Sequence, residues 1–198
     1  PETPPRYNIA PSQAVPAVIQ SRETGAREFR PFKWGLVPSW AKDPAIGNRM
    51  INARSETAAT KPTFRKPLRE RRCLILADGF YEWKREGSRK QPHYIKLQSG
   101  DPFAFAGLWE SWHDKAHPDA PPVETFTILT TDANETVAAI HDRMPVILPA
   151  GLVEDWLSAP PDRAQALLAP YAGPVAVRAI AKLVGNPRND TPDVLADA

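Results

Sequence analysis

Apolar and polar positions alternate, or collapse into short apolar runs, along most of the chain. That period predicts strands over residues 15–19, 27–34, 73–77, 80–84, 92–97, 103–112, 124–131, 144–148 and 175–184. Thr24-Gly25, Asp78-Gly79, Gly87-Ser88 and Ser99-Gly100-Asp101 fall between these runs, where turn-forming residues are needed. Helical spacing shows only briefly, at 150–158, 161–169 and 133–140, the last with Asp132 as its cap, Glu135 three residues on and His141 at its end. Residues 1–20 read as an extended, proline-broken lead-in. The pattern predicts a single α+β domain over 1–198, built on a mixed or antiparallel sheet, open or closed into a barrel, with a few short helices around it.

Composition narrows the class. Hydrophobic residues make up 42% and charged residues 24% of 198, which excludes a disordered or collagen-like chain and supplies a core without disulfides. The 23 prolines are about twice the usual share and are scattered, favouring short elements and ordered loops. Cys73 is the one cysteine, so no intrachain disulfide framework exists, as expected in a reducing compartment. No apolar run approaches the roughly 20 residues that span a bilayer, and Pro1-Glu2-Thr3-Pro4-Pro5 lacks the features of a signal peptide. The expectation is a soluble, cytoplasmic protein with no membrane partner, and a monomer by default.

Charge is polarised. Residues 27–96 carry 17 Lys and Arg against 7 Asp and Glu, while the rest of the chain carries 8 against 16. Such a block suits a polyanion-binding surface, or a solvated basic face set against the acidic half.

Four segments embed reactive groups among Gly, Trp and Arg: 34–40, 52–57, 78–83 and 141–145. Strand alternation puts Phe80, Glu82 and Lys84 on one face and Tyr81 and Trp83 on the other. If the Glu82 face points inward, its carboxyl rises and becomes a general acid or base. Otherwise Glu82 is an edge-strand residue paired with Lys84 or an Arg. His141 can shuttle protons near neutral pH, or serve structurally at a helix end. Asn52 can orient a substrate, or cap a turn. Trp34 and Trp40, beside Arg49 and Arg54, can stack unpaired bases, and at least one of the two belongs in the core. His113 and His117 have a zinc-like spacing but no accompanying cysteine cluster, and no metal is expected. Cys73, inside an apolar strand, reads as a buried hydrophobe rather than a nucleophile.

Taken in order, RYNIAPSQ (6–13), WGLVPSW (34–40), NARSET (52–57), RRCLILADGFYEW (71–83), AGLWE (106–110), TILTTDAN (127–134) and HDRMPVIL (141–148) closely resemble the SOS response-associated peptidase, or SRAP, family. The resemblance runs over nearly all of residues 6–190. It implies a compact β-barrel-like α+β fold that senses abasic sites in single-stranded DNA, in a DNA damage response, with no cofactor. In that family an N-terminal cysteine, exposed by autocatalytic removal of the initiator Met, closes a thiazolidine ring on the ring-opened sugar and leaves a DNA–protein crosslink. Carried over by motif, Asn52, Glu82 and His141 are the catalytic residues. Arg54 and Arg143 would grip flanking phosphates, Trp40 would stack a base, and Asn8 and Pro11 would line the entrance.

Two departures matter. The family's Met-Cys-Gly-Arg-Phe start does not stand in these residues, so the nucleophile is expected upstream of Pro1. Ala41 follows Trp40 where some members carry a second aromatic, which weakens stacking. In a bacterium the resemblance implies nucleoid association when bound to DNA. A cysteine-type peptidase acting on other proteins and a non-enzymatic single-stranded DNA-binding module remain the alternatives.

Overall fold

Most of the apolar runs fold as the strands they announce, extended by a residue or two at either end. The computed structural model describes residues 4–198, so the first three residues of the lead-in lie outside the described residues. In chain order come β1 (Ala14–Gln20), β2 (Arg27–Trp34), a 3-10 turn (Pro44–Arg49), β3 (Asn52–Arg54), α1 (Ser55–Ala58), α2 (Pro62–Glu70), β4 (Arg72–Ala77), β5 (Phe80–Glu86) and β6 (Arg89–Leu97). They are followed by β7 (Phe103–Trp112), β8 (Val123–Asp132), α3 (Glu135–Ala138), β9 (Arg143–Pro145), β10 (Ile147–Leu148), α4 (Val153–Ser158), α5 (Pro161–Ala166) and β11 (Val175–Ala179). The result is a mixed α+β fold with few, short helices. Among the described residues no helix is long and apolar enough to cross a membrane.

Two sheets form. In the larger, β4 pairs with β1, β1 with β2, β2 with β8, β8 with β7, and β7 with β4 again, so each of these five strands is bonded on both sides. The cycle is antiparallel except at β2–β8, a short parallel contact of Lys33 and Trp34 with Thr125 and Phe126. The smaller sheet runs β11–β6–β5, with β5 on its edge.

Because both faces of the large sheet are covered, its strands read as near-continuous apolar runs. One face packs Val15, Ala17, Ile19, Phe32, Cys73, Ile75, Phe105 and Phe126 into a core shared with Ile95 and Val175 of the small sheet. The opposite face packs Val18, Leu74, Ala106, Leu108 and Leu129 under Phe64 and Leu68 of α2 and Trp156 and Leu157 of α4. Arg72 joins helices to sheet: its buried guanidinium donates to the Leu68 carbonyl at 2.9 Å and to those of Trp156 and Ala159, each at 2.5 Å. One cation thus satisfies the last carbonyls of two helices, where the helix dipole favours positive charge. Burial pushes its pKa down.

Four expectations need correction. The cap of α3 is Asn134, whose side chain accepts from Val137 N at 3.0 Å; Asp132 is drawn away by Arg143 at 2.6 Å. The strand expected at 144–148 is broken at Val146, which donates to Leu129 O and accepts from Ala106 N, both at 2.9 Å, as the chain crosses from β8 to β7. The last strand stops at Ala179, and residues Lys182–Gly185 turn as 3-10 helix to bury Val184 against Ile180 and Val194. The pattern also left out α2, whose Pro62 starts the helix and whose Pro67 lies inside it.

Gly107 stands opposite Cys73 in the β4–β7 register, and a Cβ there would lie 2.8 Å from the Cys73 sulfur and 3.3 Å from Ile75 Cγ1. Gly107→Ala is expected to cost about 1–3 kcal/mol by overpacking. Adding Cys73→Ala should recover part of that loss in chemical denaturation; an unchanged loss in the double variant would rule out this clash as the cause.

Candidate functional site

Glu82 lies on β5, directly opposite His93 on β6, and is half-buried. Burial pushes its carboxyl above the ordinary carboxylate value; the His141 imidazole and a bond to the Trp83 backbone pull the other way, and Asp142 adds to the rise. The net direction is upward. The alternative pairing with Lys84 is not formed, because Lys84 bonds Glu86 at 3.1 Å.

His141 arrives from the larger sheet, in the turn between α3 and β9. Its backbone N–H donates to Val137 O and Ala133 N–H donates to Asp142 O, each at 3.0 Å, which fixes the turn. His141 Nδ1 lies 3.0 Å from the Arg143 backbone nitrogen and 3.2 Å from the Arg143 carbonyl oxygen, so it accepts from the first in one neutral tautomer and donates to the second in the other. Asp142 Oδ1 lies 3.2 Å from the same Nδ1 and attracts the ring when it is protonated. Glu82 and His141, one from each sheet, are thus within electrostatic reach of one another.

Arg143 is held by its neighbours. Its guanidinium donates to both oxygens of Glu56, at 2.7 and 3.0 Å, to Asp132 Oδ1 at 2.6 Å and to Thr130 O at 2.8 Å. The bond from Arg143 holds the Glu56 carboxyl below its usual value, and Glu56 in turn holds Arg143 protonated. This cluster ties α1, and with it β3, to β8 and β9, and it leaves Arg143 Nε without a partner among the described residues.

Asn52 and Arg54 flank Ala53 on β3, both exposed while Ala53 is buried. The parallel register sets them beside Ile128 and Thr130 of β8. Among the described residues Arg54 has no carboxylate within bridging distance and the Asn52 side chain makes no hydrogen bond, so both are available to a ligand.

Trp40 is 56% exposed, on a loop that is nonetheless braced. Gly35, at φ +127°, packs so closely on Gly47 that a Cβ on it would lie 2.6 Å from the Gly47 carbonyl oxygen, and the reverse substitution meets the same distance. Trp112 Nε1 donates to Ala41 O at 2.7 Å, and Val37 N–H to Thr125 Oγ1 at 2.9 Å. Trp40 borders an open cavity of about 290 Å³ with Lys42, Asp43, Ile46 and Arg49. Trp34 is the core member of the pair, stacked on Phe126 at 6.0 Å with its Nε1 donating to Ile51 O.

Asn8 does not line an entrance. It is 5% exposed, and its Nδ2 lies within hydrogen-bond distance of the carbonyls of Val184, Asn186 and Asn189. Asp190 Oδ1 accepts from the Tyr7 and Asn8 backbone amides at 2.5 and 2.8 Å, its other oxygen binds Arg6, and Tyr81 Oη donates to Tyr7 O at 2.5 Å. The lead-in is thereby clamped against Tyr81, on the face of β5 opposite Glu82, by residues that carry no local sequence signal. Pro11 remains exposed, in the turn before β1. Cys73 is fully buried, and burial pushes its thiol far up. His117 Nδ1 lies 2.8 Å from Asp114 in an exposed loop, and among the described residues no three His, Cys, Asp or Glu gather as a metal site.

Residues 1–187 match the family model described as SOS response associated peptidase (SRAP). The chain is 46% identical over 196 residues to the abasic site processing protein YoqW of Bacillus subtilis (strain 168), covering 96% of this chain and 85% of that one. It is 33% identical over 223 residues to the abasic site processing protein HMCES of Gallus gallus, covering 96% and 66%. A crystal structure of a protein from Bacteroides thetaiotaomicron superposes with a TM-score of 0.84 at 30% identity, covering 94% and 82%.

The raised Glu82 carboxyl fixes the sign of a pH effect. A carboxyl raised on folding favours the protonated form, so its contribution is present below the unfolded value and is lost as pH climbs through the folded one. Glu82→Gln should therefore match the wild-type thermal midpoint at about pH 4 and exceed it at about pH 8. A Glu82→Gln midpoint lower at the alkaline end would show that the carboxylate is stabilised instead.

Proposed function

The chain belongs to the SOS response associated peptidase family, and from that footing we propose that it processes abasic sites in single-stranded DNA by forming a covalent DNA–protein crosslink. The observation that supports this most is the junction of the two sheets, where a carboxyl raised by burial stands within electrostatic reach of a histidine fixed by its own turn.

The nucleophile of this reading is an N-terminal cysteine upstream of Pro1. Its α-amine adds to the aldehyde carbon of the ring-opened deoxyribose; loss of water gives an imine, and the thiol adds to the imine carbon while the nitrogen takes up a proton, closing a thiazolidine. No oxidant or cofactor is consumed. Protonated Glu82 supplies the proton for the departing hydroxyl, and as carboxylate it takes one back when the ring opens. His141 relays a proton between Glu82 and solvent. Asn52 holds the sugar with its uncommitted amide, Arg54 binds a flanking phosphate, and Trp40 stacks on a neighbouring base from its braced loop. Pro11 borders the approach. Arg143, which braces β3 and β9, binds the other flanking phosphate. The clamp at Tyr7 and Asn8 ties the lead-in to the Tyr81 face of β5, the strand that carries Glu82.

We read residues 1–198 as one domain with a barrel-like core, supported by the five-strand pairing cycle. The protein acts as a monomer, associated with the nucleoid when bound to DNA in a bacterial host.

The protein expressed from its complete reading frame is expected to give a gel-stable, mass-shifted product with a single-stranded oligonucleotide bearing one abasic site, and none with a lesion-free control. Glu82→Gln and His141→Ala should each slow product formation about 10²–10⁴-fold while keeping affinity for the lesion-free strand. Binding without any covalent product from the wild-type chain would overturn the mechanism. Trp40→Ala should weaken lesion-free strand binding by about 1–3 kcal/mol in a titration, against no change if Trp40 does not stack.

A further inference from the structure

The hairpin of β5 and β6 carries a charge arrangement that its own stability does not explain. β11 covers β6 only from His93 to Leu97, so the far end of the hairpin, beyond Trp83 and Pro92, projects as a two-stranded ribbon. Residues 85–90 are all exposed. On this ribbon stand Lys84, Arg85, Arg89 and Lys90 against one carboxylate, Glu86, which is bonded to Lys84. Among the described residues Arg85, Arg89 and Lys90 have no carboxylate within bridging distance. Arg85 and Lys90 are directly opposed in the register. Like charges facing each other across an antiparallel pair destabilise it, and a two-stranded ribbon has little stability to spare.

We propose that this ribbon is a nucleic-acid contact surface in which Lys84 and Arg89, on the Glu82 face, and Arg85 and Lys90, on the reverse face, bind phosphates of the strand that flanks the lesion as it passes around the open edge of β5. The inference rests on the reading of Glu82 as a site residue. Glu82 lies on the same strand as the ribbon, and Lys84, Glu86 and the Arg89 opposite Glu86 share its face, so the surface begins at the site and extends outward by about 13 Å to the tip. Phosphates are the ligand that turns an opposed cation pair into an asset: each neutralised phosphate releases condensed counterions, and two cations on facing strands bracket one backbone. Beyond Glu82 this face carries Lys84, Glu86, Arg89 and Gln91 and no aromatic, so the ribbon positions the strand and reads no sequence.

The experiment measures fluorescence anisotropy of the full-length protein with a labelled, lesion-free single-stranded oligonucleotide across a salt series. The Arg89→Gln/Lys90→Gln double variant should lower the slope of log affinity against log salt by about 1.4 in magnitude, two phosphates' worth. Lys115→Gln, in an exposed loop elsewhere, should leave the slope as it is. Arg85→Glu places an acid opposite Lys90 and should raise the thermal midpoint by about 1–3 °C while weakening binding, opposite signs that a purely structural role does not produce. If the wild-type chain binds the oligonucleotide and the double variant keeps its slope, the ribbon proposal falls and the abasic-site reading stands. If the wild-type chain shows no salt-dependent binding, the reading itself fails. Equal competition by poly-glutamate would assign the ribbon to an acidic protein and overturn the nucleic-acid assignment.

Discussion

A strand has two hydrogen-bonding edges, and β8 divides each of its own between two partners. Over its first half it bonds β7 on one side and β2 on the other, which closes the five-strand cycle. Over its second half the same edges serve β9 and β3. Since buried backbone groups must be paired, the change of partner is where the chain is free to bring new segments to the sheet. Asn52 and Arg54 come in on β3, and His141 and Arg143 on the turn into β9. Val146 completes the exchange by bonding to both β8 and β7 as the chain passes between them.

The second sheet contributes what the first lacks. Glu82 belongs to an edge strand whose other face, through Tyr81 and Trp83, packs on Ile180, Val184 and Val194. That packing and the Tyr81–Tyr7 bond set the depth of Glu82, which decides how far burial raises its carboxyl. Ionisation at the site is thus controlled by residues from both ends of the chain. Tyr81 itself, with burial foremost among the causes, is pushed up to about 12 and remains a hydrogen-bond donor at every working pH.

Local pattern reported the strands well because a two-residue period survives wherever a strand is covered on one or both faces. It failed where a local rule met a distant partner. Asp132 has the residue type of a cap, yet Arg143 takes its carboxylate and Asn134 caps the helix. The apolar pattern passed over α2, although a proline at the first helical position, as Pro62 is, is preformed for a helix. The last strand was read through to Val184 because apolar residues continue past Ala179, where Ile180 still bonds Pro92 O and Ala181 bonds Ala196 O before the chain turns into 3-10 helix. At the site, alternation gave the face Glu82 shares with Phe80 and Lys84 but left open whether that face turns inward or pairs with Lys84 or an Arg. The ties of Arg143 to Glu56, 87 positions away, and of Asn8 to the carbonyls after β11 had no signal in either segment, so both residues looked unengaged.

The close approach of Gly35 and Gly47 has an evolutionary side. Each glycine excludes a side chain from the other, so neither position can vary alone, and together they anchor the loop that carries Trp40. Between those fixed points the solvent-facing residues bear little of the fold's weight. A descendant of this protein could exchange Trp40 or Lys42 for other side chains and present a different surface there, with the rest of the molecule left as it is.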